Sequence, residues 1–215
     1  MYRLRLEKKI FKDGFRRIGG IDEAGRGPLA GPVVAACLSI APGFRIKNKE
    51  LAEVNDSKLL SEKKREELFK ILMDEDLEIG VGICSPRIID KVNIFQATFL
   101  AMKKSIEKLP RRPECIILDG KFLIPELEIE QRAIVKGDAK VFLIAAASII
   151  AKVTRDRLMR KYHGQFPGYG FDQHKGYATL RHCRMIKKLG PCRIHRQTFS
   201  PIKVVSGRNS VVDLP

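Results

Sequence analysis

The stretch 141–151, VFLIAAASIIA, constrains this chain more than any other, because in eleven residues only Ser148 is polar. Read as a helix it is apolar on every side, and such a helix must be covered on every side. It is closed by Lys140 and Lys152 and falls well short of the ~20 residues that cross a bilayer, so the cover has to be protein. The helical run continues to Tyr162. Its second half, KVTRDRLMRK, becomes cationic on one face while Val153, Leu158 and Met159 stay apolar, so it is expected to leave the core and meet a polyanion.

Short β-rich segments at 17–22 and 32–40 flank the glycine-dense stretch 25–31, and 77–83, 115–118 and 129–135 read as further strands. The N-terminal fifteen residues, MYRLRLEKKIFKDGF, form a short amphipathic helix. Ser61 is placed to cap a helix running to about Asp74. Ile94, Phe95, Phe99, Met102 and Ile106 lie on one helical face, with Ser85 or Asn93 as its cap and Pro110 beyond its end. Loops are expected at 42–60 and 164–176, and a last helix at 177–189 is stopped by Gly190 and Pro191. Met73, Met102, Met159 and Met185 read as core residues. At 215 residues and 44% hydrophobic composition the chain supports one domain over 1–205, with 206–215 a loose tail. No repeat or low-complexity block interrupts it.

The formal charge is +16, as expected of a protein that binds a polyanion, with nucleic acid the leading candidate. The charge is concentrated: 152–203 carries thirteen Lys and Arg against two acids, Asp156 and Asp172. A basic helical substrate-binding region over about 160–203 follows. The five cysteines include no C-x-x-C pair, so no disulfide framework or zinc cluster is signalled. The four histidines, His163, His174, His182 and His195, lack the paired spacing of a zinc site. The N-terminus has no apolar run of a secretory signal, and the expected location is the cytoplasm, without membrane attachment.

Four carboxylates stand out by position: Asp22 and Glu23 at the end of the first strand, Asp119 at the end of another, and Asp138 just before the buried helix. If the strands are neighbours, these acids converge, and like charges so close need cations to neutralise them. Hard carboxylate oxygens suit Mg²⁺ or Mn²⁺. Adjacent strand residues point to opposite faces, so the first strand is expected to end or distort at Asp22 and Glu23, where Gly25-Arg26-Gly27-Pro28 permits it. Taken singly, Asp119-Gly120 also suits a plain turn and Asp138 a helix N-cap.

GIDEAGRGPLAGPVVAAC at 20–37 resembles the signature of the bacterial type-II ribonuclease H family, ribonuclease HII. NDSKLLSEKKREEL (55–68), ILDG (117–120), VKGD (135–138), AAASIIAKVTRDRLM (145–159), FPGYGFDQHKGYATLRH (166–182) and HRQTFSPIK (195–203) are similar to further blocks of that family, in its order. The resemblance implies an α/β fold of the RNase H type: a mixed central β-sheet flanked by helices, with a helical C-terminal region. It implies endonucleolytic cleavage of RNA in RNA–DNA hybrids and at single ribonucleotides in duplex DNA. The family's metal-binding acids fall on Asp22, Glu23, Asp119 and Asp138, with Asp22 bridging two ions in a hydrolysis that leaves 5′-phosphate and 3′-hydroxyl ends.

In similar enzymes a Gly-Arg-Gly segment, here Gly25, Arg26 and Gly27, reads the ribose 2′-hydroxyl, and a tyrosine stacks on the neighbouring sugar. That tyrosine is Tyr177 by its place in HKGYAT, with Tyr169 the alternative. Lys58, Ser148 and Lys152 look like phosphate contacts, although a solvated lysine or a small polar residue between helices would read the same way. Two other readings stand beside this one. The type-III enzyme normally carries an extra N-terminal domain, for which about twenty residues before Asp22 leave no room. A non-catalytic binder of hybrid or duplex nucleic acid would use the basic C-terminal region alone, but carboxylates beside phosphate weaken binding unless metal is recruited. A monomer is expected.

Overall fold

A computed structural model of the chain describes residues 4–53 and 60–203; Lys58 and the 206–215 tail lie outside the described residues. Strands β1 (Ile18–Ala24), β2 (Val33–Ile40), β3 (Glu78–Cys84), β4 (Cys115–Asp119) and β5 (Glu130–Ile134) form one sheet in the order β3-β2-β1-β4-β5. The first three pair antiparallel, and β1, β4 and β5 pair parallel, which is the mixed sheet expected. Helices are α1 (Arg5–Lys12), α2 (Glu62–Met73), α3 (Pro86–Glu107), α4 (Phe142–Gln165), the short α5 (Phe171–His174) and α6 (Leu180–Leu189). Among the described residues no helix is long and apolar enough to cross a membrane.

Side-chain alternation divides the sheet into two apolar faces. Val34, Ala36, Leu38 and Ile40 of β2, with Cys115 and Ile117 of β4, pack in one cluster with α4. Val33, Ala35 and Cys37, with Ile116 and Leu118, pack in the other with α3. Because both faces are covered, β2 reads as a nearly continuous apolar run, with Ser39 its one polar residue, and every one of its residues is buried. On the α3 side both candidate caps are used: Ser85 accepts from the Ile88 N–H, and Asn93, at φ 67°, accepts from the N–H groups of Phe95 and Gln96 at 2.9 and 3.1 Å. The helix is kinked there, so each cap starts its own segment.

α4 enters the core as its composition requires, with every residue from Phe142 to Ala151 buried. It lies directly against β1: a Cβ on Gly20 would collide with Leu143. Val141 provides no side-chain cap for this helix. The carboxylate of Glu7 on α1, itself 1% exposed, accepts from the Leu143 N–H at 3.3 Å instead, and burial pushes its pKa up. Glu7→Ala should therefore lower stability by about 1–2 kcal/mol, the usual worth of a helix cap, read as a fall in urea midpoint. Glu7→Gln, which keeps an acceptor oxygen, should recover most of it; equal losses in both variants would show that capping is not the role.

Several expectations need correction. The second half of α4 is not a free cationic face. Arg155 is 1% exposed, Lys152 pairs with Asp156 at 2.7 Å, and Arg157 and Arg160 each reach Glu66 on α2 at 2.6 Å. Charge density alone does not distinguish a solvent-facing stripe from a seam between helices. α6 carries four exposed cations, Arg181, Arg184, Lys187 and Lys188. That helix begins at Leu180, later than expected, because Thr179 caps it by accepting from the His182 N–H at 3.2 Å. The loops at 42–60 and 164–176 hold short 3₁₀ turns at Lys49–Glu53 and Pro167–Tyr169, and the second also contains α5. Met73, the last residue of α2, is 55% exposed and outside the core.

Candidate active site

The sheet itself brings the acids together. Ile21 and Leu118 form the last register pair between the parallel strands β1 and β4, so the next residue on each strand, Asp22 and Asp119, stands at the carboxyl edge beside the other. Asp119 is also in register with Ile134 of β5. The turn leaving β5 folds back, and the Gly137 N–H donates to Asp119 Oδ1 at 2.7 Å, which fixes the approach of Asp138. Asp138 is 6% exposed and lies in a one-turn 3₁₀ segment, Gly137–Ala139. It is not the cap of α4, a position Val141 holds.

β1 neither ends nor distorts at the acidic pair, contrary to expectation: it stays paired with β2 through Ala24 and Val34. Asp22 consequently shares the α4 face with Ile18 and Gly20, and Glu23 takes the α3 face. There Glu23 accepts from Arg26 Nη1 at 3.1 Å and lines a small cleft with Asp119, Lys121 and Phe122. The Asp22 carboxyl is held well above the usual carboxylate range, first by burial, then by the charge of Glu23 and to a lesser extent that of Asp119. A hydrogen bond from Ser148 opposes this. Ser148 is thus packed against Asp22, 4% exposed, and orients that acid; its hydroxyl does not face an open groove. Lys152, one turn along α4, is occupied by Asp156, and burial draws its pKa down.

Hard oxygens crowded into a low-dielectric pocket, whose negative charge already resists ionisation of Asp22, suit a divalent cation. Among the described residues no three such side chains stand ready as a metal site. Asp22 Oδ1 faces the Glu23 N–H at 2.7 Å, and Asp119 Oδ1 faces Gly137.

Next to the acids, Gly25 adopts φ 95°, a conformation glycine alone takes readily. A side chain there would also strike Arg155. Tyr177 comes to this loop: a Cβ on Gly27 would lie 3.9 Å from Tyr177 Cε1. The Tyr177 ring is 44% exposed with the Arg155 guanidinium 5.9 Å from its centroid. Tyr169, the alternative, is 7% exposed, donates to the Gly190 carbonyl at 2.6 Å and stacks on Phe171. Its ring is core, which removes it as a sugar platform.

Sequence reasoning missed Arg155 and Arg196, 1% and 0% exposed. Both were counted as surface cations. Arg155 lies at the i+4 position between Ala151 and Met159, both buried, and that spacing was the available signal. Arg196 had none beyond its place in the HRQTFSPIK block.

The profile of the family described as Ribonuclease HII matches residues 19–202. A Ribonuclease HII of Geobacter sp. (strain M21) is 52% identical over 200 residues, spanning 93% of this chain and 84% of that one. One of Endomicrobium trichonymphae is 50% identical over 91% of each. Among solved structures, ribonuclease H2 from Pyrococcus horikoshii OT3 superposes with a TM-score of 0.70 at 29% identity, over 89% of this chain and 97% of that one.

Proposed function

Starting from the family to which this chain belongs, ribonuclease HII, and hence from ribonuclease H endonuclease activity, we propose that it cuts the RNA strand of RNA–DNA hybrids and also cuts at single ribonucleotides embedded in duplex DNA. The observation that carries this reading is the adjacency of the Asp22–Asp119 edge to the Gly25–Gly27 loop and Tyr177. A cleavage centre thereby lies beside a surface that can recognise ribose. The alternative, a binder without chemistry, gives no reason for a buried Asp22 crowded by two other acids.

Asp22, Glu23, Asp119 and Asp138 would hold Mg²⁺ or Mn²⁺, and two such ions supply an activated water and charge stabilisation at the departing oxygen. The chain's own groups do the rest. Ser148 aims Asp22, and the Gly137 N–H aims Asp119. Backbone groups of Gly25, Arg26 and Gly27 meet the 2′-hydroxyl, the one group that separates RNA from DNA at a given position. Tyr177 supports the adjoining sugar with its exposed ring. Arg184, Lys187 and Lys188 on α6 take phosphates of the duplex by salt-dependent contacts, with Lys58 a further phosphate contact, and Lys152 another once it exchanges Asp156 for phosphate. Water adds across the P–O3′ bond, leaving a 5′-phosphate and a 3′-hydroxyl. The protein acts as a monomer in the cytoplasm.

A labelled DNA duplex with one ribonucleotide, run beside a continuous RNA–DNA hybrid in Mg²⁺, Mn²⁺ or EDTA, tests this directly. Both should be cut with metal and neither with EDTA. Tight, salt-sensitive binding with no cutting in any metal would instead establish the binder. Tyr177→Ala should slow cutting at the lone ribonucleotide about tenfold or more relative to the hybrid, with Mn²⁺ affinity by calorimetry unchanged; an unaltered ratio would remove Tyr177 from sugar recognition.

A further inference from the structure

One short segment, residues 194–196, holds both halves of the ribose-facing surface. The Arg196 guanidinium is fully buried, and among the described residues it has no carboxylate within ion-pair distance. It gathers backbone carbonyls instead, donating to Gly25 at 2.5 Å, Arg26 at 2.8 Å and Gly31 at 2.9 Å. Its own N–H donates to the Leu29 carbonyl at 2.8 Å, and the Gly31 N–H donates to the Ile194 carbonyl at 2.9 Å. A buried cation with only neutral partners is a poor device for stability. Its planar fork, however, can orient several carbonyls at once. In a trans peptide the C=O and the following N–H point in opposite directions. Drawing the Gly25 and Arg26 carbonyls inward therefore turns the N–H groups of Arg26 and Gly27 outward, and among the described residues neither has a hydrogen-bond partner.

His195 acts on the other half. The Tyr177 carbonyl lies 2.8 Å from His182 Nδ1, so that nitrogen carries the proton and His182 Nε2 is an acceptor. The 3.1 Å contact between the two Nε2 atoms then requires the proton on His195 Nε2, leaving His195 Nδ1 to accept from the Cys192 N–H at 2.9 Å. The chain of donors runs in one direction, from Cys192 through both rings to the backbone of Tyr177.

We propose that His195 and Arg196 together are a positioning element that sets the distance between the Gly25–Gly27 backbone and the Tyr177 ring, and through it the preference for ribose at the cut. This rests on the function proposed above. The test uses the full-length protein with Arg196→Lys, which keeps the charge and loses the fork, and with His195→Ala beside His195→Gln, which keeps a side-chain N–H for His182. Hydrogen exchange read by mass spectrometry on segments 25–31 and 176–180 should quicken about tenfold in both segments together for Arg196→Lys and His195→Ala, and return towards the wild-type rate in His195→Gln. The ratio of cutting at a lone ribonucleotide to cutting of the hybrid should fall at least tenfold in the first two variants and recover in the third.

Loosening confined to one segment, or both cleavage rates falling by the same factor, would overturn the proposal. Should Arg196→Lys fail to fold, the His195 pair carries the same comparison. A wild-type protein that cuts neither substrate would sink the functional reading alone, because the exchange result decides the linkage without it.

Discussion

Asp119→Asn leaves the protein folded and lowers turnover by about a thousandfold or more, equivalent to about 4 kcal/mol of barrier. Asparagine has nearly the shape of aspartate, and its carbonyl oxygen can accept the Gly137 N–H as Asp119 Oδ1 does at 2.7 Å, so the turn carrying Asp138 stays in place. What is lost is one negative charge and, on the function proposed above, one hard carboxylate oxygen for the metal at the carboxyl edge of β4. Unchanged urea unfolding with lost turnover and weakened Mn²⁺ affinity is the expected pattern. Asp119→Ala should lose the turn as well and melt lower. Wild-type turnover in the asparagine variant would place the chemistry elsewhere.

The second large effect is on stability in acid. His182 and His195 are 0% and 1% exposed, and burial draws both pKa values down to about 4, with nearby His174 contributing in each case and His195 also acting on His182. In the unfolded chain both return to about 6.5. Between those values the unfolded state binds protons that the folded state refuses, so the stabilisation is complete above about pH 6.5 and is lost as pH falls towards 4. From about pH 7 to pH 5 the loss is about 2 kcal/mol per histidine and up to about 4 kcal/mol for the pair. Burial of Asp22 and Glu7 acts with the opposite sign, since carboxyls with raised pKa values favour the folded state as they protonate. Urea midpoints at the two pH values should fall in the wild type and nearly level in a His182→Gln/His195→Gln double variant. A wild-type midpoint that holds or rises on acidification would mean the pair is not kept neutral.

Local patterns carried most of the architecture. Short β-rich apolar runs and end signals located all five strands, and caps such as Ser61 and Ser85 act through a few adjacent residues that a sequence displays. The places of Asp119 at a strand end and of Asp138 shortly before the buried helix were legible because these are local features, whereas Asp22 and Glu23 lie within β1, and the approach of Asp22 to Asp119 depended on β1 and β4 being neighbours. Relationships across long separations were not legible. The burial of Arg155 against Pro32 and Ala30, and of Arg196 against Gly31, joins residues more than a hundred positions apart, and a cation counts the same in composition whether it faces solvent or carbonyls. The kink at Asn93 shows the intermediate case: two caps were visible, and only the folded chain shows that both are used.

The Glu7–Leu143 bond also bears on the order in which the protein assembles. Its partners are 136 residues apart, and at about 5–20 residues per second of synthesis α1 emerges roughly 7–27 seconds before the amide it caps. Through that interval its acid is ionised and solvated, with nothing to receive it. Closure of so long a loop comes after local helices and hairpins have formed, so α1 is a late fastener, docking onto a core that already exists and securing the segment from which Asp138 projects.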